Sequence, residues 1–76
     1  MKIEVLGMGC AKCKQLYNNV QQAVAEVGVQ AEVVKVEDMD RITGYGVLAT
    51  PALVVDGQVK VSGKVSSSDE IKSWLV

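Results

Sequence analysis

Cys10 and Cys13 are the only cysteines in the chain, and two residues, Ala11 and Lys12, separate them. They stand where an alternating, strand-like run gives way to a helix-like one. A thiol at a helix N-terminus faces unpaired backbone N–H groups and the positive end of the helix dipole, which favour the thiolate. The thiolate is the nucleophile of thiol–disulfide exchange and also a soft metal ligand. The second thiol lies about one helical turn further on, close enough to close a disulfide after a modest adjustment. Two chemistries are open on these residues alone: transfer of electrons to and from disulfides, or capture of Cu(I) or Zn(II) by Cys10 and Cys13. A structural staple is the weakest reading, because so short a loop constrains little.

The elements that must position the pair can be read along the chain. Lys2 to Leu6 alternates as a strand and ends at Gly7-Met8-Gly9. From Ala11, Cys13, Leu16, Tyr17, Val20, Val24 and Val27 recur at spacings of three and four, which predicts an amphipathic helix stopped by Gly28. Val29 to Val36 is β-branched, and its change of phase suits a strand covered on both faces, or a bulge. Asp38 caps a short predicted helix carrying Met39 and Ile42 and ending at Thr43-Gly44. Ala52–Val55 and Val59–Ser62 flank an Asp56-Gly57 hairpin signal. Ser67-Ser68-Asp69-Glu70 has the form of a capping box before the apolar stripe Ile71, Trp74 and Leu75. The expected order is βαβαββα, an α/β chain with a mixed four-stranded sheet and helices on both faces.

Seventy-six residues make one small domain, residues 1–76, with 49% hydrophobic content and valine supplying much of the apolar mass. The net charge of −1, from 8 Lys and Arg against 9 Asp and Glu, offers no basic footprint for nucleic acid or anionic lipid. The opening Met1-Lys2-Ile3-Glu4 is too charged for a secretory signal or a spanning helix, so neither nucleic acid nor membrane is expected as a partner and the cytoplasm is the expected location.

This order, with a CxxC at the first strand-to-helix junction, resembles the thioredoxin fold and its thiol–disulfide oxidoreductases. The resemblance also rests on Gly46-Val47-Leu48-Ala49-Thr50-Pro51-Ala52-Leu53-Val54-Val55-Asp56-Gly57, similar to the segment that leads through a cis-proline into the family's third strand and hairpin. It implies that Pro51 shapes the site and that Thr50 pairs its backbone with an extended stretch of substrate. Ala11-Lys12 replaces the Gly-Pro of the best-known thioredoxins, and Gly9 replaces their tryptophan. The chain therefore looks more like the small prokaryotic thioredoxin-like redox-active disulfide proteins, roughly glutaredoxin-sized.

A second resemblance is local. Gly7-Met8-Gly9-Cys10-Ala11-Lys12-Cys13 is similar to the metal loop of heavy-metal-associated domains and copper chaperones. That fold is expected to close on a strand after a second helix, whereas this chain places a Thr-Pro and a hairpin first and ends on a capped helix, so its second half favours the thioredoxin reading.

In the favoured reading Cys10 is the nucleophile, because the loop before it leaves its sulfur partly exposed, and Cys13, shielded within the helix, is the resolving thiol. Lys12 adds a positive charge beside both sulfurs. Glu4 lies six residues before Cys10, where thioredoxins carry a buried acid that assists proton transfer to the second cysteine. Its alternation with Ile3 and Val5 instead predicts a carboxylate pointing to water, since burial without partners is costly. Tyr17 and Tyr45 read as packing residues with wet hydroxyls; Met8, Val47 and Leu48 could form an apolar rim for docking partner proteins, but as loop hydrophobes they are expected to pack inward. The expected activity is reduction of protein disulfides by a monomer that uses no cofactor beyond its redox-active disulfide and is reset by a separate reductase.

Overall fold

The computed structural model describes residues 1–9 and 11–75. Cys10, the expected nucleophile, lies outside the described residues, as does Val76. The elements run β1 (Lys2–Leu6), α1 (Ala11–Val27), β2 (Glu32–Val36), α2 (Met39–Gly44), β3 (Ala52–Val55), β4 (Gln58–Ser62) and α3 (Ser68–Leu75). The strands form one mixed sheet in the order β2-β1-β3-β4, with β1 parallel to β2 and antiparallel to β3, and β3 antiparallel to β4. This is the expected βαβαββα arrangement.

Strand alternation divides the core into two layers. On one face Ile3, Val5, Leu53 and Val55 pack with Leu16, Val20 and Ala23 of α1 and with Ile71 and Leu75 of α3. On the other, Leu6, Val36, Ala52 and Val54 pack with Ile42 of α2. β2 is covered on both faces, as its change of phase suggested, with Val33 in the first layer and Val34 and Val36 in the second. The irregularity lies elsewhere: the register between β3 and β4 shifts between Leu53 and Val54.

Local signals explain the boundaries. Gly28, at φ 75°, takes the left-handed conformation that ends α1. Asp38 caps α2 by accepting from the Asp40 N–H at 2.9 Å. Ser67 Oγ accepts from the Glu70 N–H at 3.2 Å while Glu70 Oε1 accepts from the Ser67 N–H at 3.5 Å, so the capping box of α3 is formed. Asp56 and Gly57 both have positive φ, the backbone that a two-residue hairpin demands. β2 is shorter than expected and begins at Glu32, because β1 offers partners only from Lys2, which pairs with Glu32.

Candidate functional site

The site forms where β1 ends and α1 begins. Cys13 occupies the first turn of α1 on the helix face that also carries Leu16 and Val20, and it is 6% exposed. Gly7 continues β1 directly beneath it. A β-carbon at Gly7 would collide with Cys13 Sγ, lie 3.2 Å from Cys13 Cβ and come within 3.9 Å of Thr50 Cβ. Cys13 and Thr50 therefore both border the space that a side chain on Gly7 would fill. Thr50 is exposed, Pro51 is fully buried, and the bond between them is cis. The Pro51 carbonyl accepts from the Gly63 N–H at 2.8 Å, which ties this loop to the far end of the hairpin.

Beside Cys13, a cavity of about 100 Å³ is lined by Val5, Gly7, Gly9, Cys13, Lys14, Lys35 and Glu37. Gly9 has φ 82°, and a β-carbon there would stand 3.1 Å from Glu37 Oε2, so the glycine admits the carboxylate beside the loop that leads to Cys10. Lys35 Nζ lies 4.5 Å from the centre of the Tyr17 ring, a cation–π contact on the same face. Lys12 is exposed and does not line the cavity; Lys14 does. Sequence reasoning missed Lys14, Lys35 and Glu37. The only signal for the last two was their position at the C-terminal end of a strand parallel to β1.

Glu4 corrects an expectation. It is 5% exposed rather than turned to water. Its Oε1 accepts from the Tyr45 hydroxyl at 2.8 Å, and its Oε2 faces Arg41 Nη2 at 3.4 Å. α2 covers this face of the sheet and supplies donors that relieve the cost of burying the carboxylate. Tyr45 is corrected with it: its hydroxyl is bonded, not wet. The bond to Glu4 holds the phenol above the ordinary tyrosine range, helped by partial burial and the negative charge of Glu4 and opposed by Arg41. Tyr17 Oη also has a protein partner, accepting from Gln21 Nε2 at 2.8 Å. Glu4 and Leu6 share the α2 face, whereas Val5 and Gly7 share the α1 face with Cys13. The structure thus brings Cys13 and Thr50 together and sets Glu4 on the opposite side of the sheet.

The loop hydrophobes divide. Val47 packs into the layer beneath α2, as expected, but Met8 is 56% exposed and Leu48 fully exposed, against the expectation that they pack inward.

The thioredoxin domain family matches residues 1–76. This chain belongs to that family. A thioredoxin from Methanothermobacter thermautotrophicus is 47% identical over 75 residues, 99% of this chain and 97% of the relative. A thioredoxin from Methanocaldococcus jannaschii is 44% identical over 73 residues, 96% of this chain and 84% of the relative. The likeness to metal carriers stays confined to residues 7–13 and gains no support, since the chain continues after α2 into a hairpin and closes on α3. Among the described residues, no helix is long and apolar enough to cross a membrane.

Proposed function

We propose that the chain is a thiol–disulfide oxidoreductase that passes two electrons from the Cys10–Cys13 dithiol to protein disulfides. Cys10 attacks a substrate disulfide, forming a mixed disulfide and releasing one substrate thiolate. Cys13 then attacks Cys10 Sγ, forming the Cys10–Cys13 bond and releasing the second substrate thiolate. The observation that carries this assignment is the position of Cys13, buried in the first turn of α1 against Gly7. A thiol so shielded is out of reach of a bulky protein disulfide but suited to attack by the short path from within the site. The thioredoxin relatives support the chemistry.

Thr50 and Pro51 form the substrate-contacting edge, with the Thr50 backbone pairing with an extended segment of the incoming protein. The exposed side chains of Met8 and Leu48 support protein rather than small-molecule disulfides, because solvent-exposed apolar groups beside a site are matched by apolar partners. In this reading residues 1–76 act as one cytoplasmic, monomeric domain in the reducing direction, with Lys12 favouring the Cys10 thiolate. No cofactor is needed beyond the disulfide, and a separate reductase restores the dithiol.

Trapping tests the roles. Cys13→Ser should accumulate mixed disulfides with substrate proteins through Cys10, and Cys10→Ser should not. Equal trapping by the two variants would overturn the assignment.

A further inference from the structure

Resolution of the mixed disulfide requires the buried Cys13 thiol to lose its proton, and a thiol removed from water needs a nearby base to take it. The acid that the family resemblance offers for this step is Glu4. Its carboxylate lies on the other face of the sheet and is engaged by Tyr45 and Arg41. The face that carries Cys13 has a different carboxylate.

We infer that Glu37 is the general base that takes the Cys13 proton through the cavity between β1, β2 and α1. This rests on the proposed oxidoreductase reading. Three observations carry it. Glu37 and Cys13 line the same cavity, whose volume of about 100 Å³ is enough for water to bridge them. Glu37 Oε2 lies beside Gly9, where any side chain would crowd it, so the carboxylate stands next to the loop entering α1. Glu37 is also solvent-exposed, so a proton taken from inside can pass to bulk water.

The charged groups around Cys13 are Lys14 from α1, Lys35 from β2 and Glu37 from the segment after β2, with Lys12 exposed on the outer side of the first helical turn. Lys35 is directed at the Tyr17 ring. Glu37 is therefore the only acidic side chain lining the cavity among the described residues. The step balances: the Cys13 proton moves through water to Glu37, the Cys13 thiolate forms the Cys10–Cys13 bond as the Cys10–substrate bond breaks, and the departing substrate thiolate takes up a proton from solvent.

The test uses the whole reduced protein mixed with an equimolar symmetrical aromatic disulfide whose free thiolate is coloured. The first thiolate released reports attack by Cys10 and the second reports resolution by Cys13. Glu37→Gln should leave the first phase unchanged and slow the second by about tenfold or more between pH 6 and 7. The deficit should vanish above about pH 9, where hydroxide ionises the thiol directly. Glu37→Asp should recover part of the rate, and Glu4→Gln should show no such pH-dependent deficit. An unchanged second phase in Glu37→Gln would overturn the inference. A faster one would also overturn it, because it would mean that the carboxylate acts only as a negative charge opposing the thiolate. Absence of a first phase in the unmodified protein would instead refute the oxidoreductase reading itself.

Discussion

Gly7 and Cys13 occupy neighbouring space that only a glycine can share, since a β-carbon on Gly7 would fall on Cys13 Sγ. The thiol is held in place by the absence of a side chain on the strand beneath it.

Gly7→Ala must therefore move Cys13 to another rotamer or push the first turn of α1 away from the sheet. Overpacking of a buried site typically costs about 1–3 kcal/mol. The expected result is a loss of that size in urea denaturation of the reduced protein, together with slower disulfide closure. Unchanged stability and unchanged closure would show that α1 yields freely.

Tyr45→Phe removes the hydroxyl that donates to Glu4 and leaves only the longer contact to Arg41, which is itself half in solvent. Stripping a buried carboxylate oxygen of its donor costs about 1–3 kcal/mol. The variant should unfold at lower urea concentration, while its exchange rate with a small aromatic disulfide should match that of the unmodified protein. A selective loss of exchange without loss of stability would mean that Glu4 serves the sulfurs after all.

The same contact predicts an alkaline signature. Because Tyr45 holds its proton more tightly when folded, the stability from this contact is fully present below about pH 10, where an unfolded tyrosine begins to ionise. It is lost as the pH rises through the folded value. Ultraviolet titration should show Tyr45 ionising above the ordinary range, and Tyr45→Phe should abolish that step. A Tyr45 transition within the ordinary range would contradict the buried pairing.

Ser67→Ala removes the cap of α3 and should cost about 1 kcal/mol at neutral pH. Glu70, the other half of the box, is held below the ordinary carboxylate range by Lys64 and by the Ser67 backbone N–H. A lowered carboxylate contributes stability above its unfolded value that disappears as the pH falls through the folded one. Acidification below about pH 4 should therefore weaken the parent more than Glu70→Gln. Parallel acid profiles for those two proteins would mean that the box contributes nothing.

Much of the fold was legible because local chemistry decided it. Gly28, Asp38, Asp56-Gly57 and Ser67 to Glu70 each act within a few residues of themselves, and each sits where its type predicted. What escaped was decided at long range. Alternation in β1 is compatible with a wet outer face, and only the covering by α2, bringing Arg41 and Tyr45 from 37 and 41 residues away, makes Glu4 a buried group. Val29 to Ala31 have the composition of a strand but no partner strand beside them. Lys35 and Glu37 reach the Cys13 cavity through the parallel register of β2 on β1, which no local pattern discloses.

The division of β1 into two faces has an evolutionary consequence. Substitutions among Glu4, Arg41 and Tyr45 act on one side of the sheet, and substitutions among Gly7, Lys14 and Glu37 act on the other, with no partner in common among the contacts described. Their effects should combine additively. The contacts around Glu4 can then drift in this lineage without renegotiating the reactivity of the thiols.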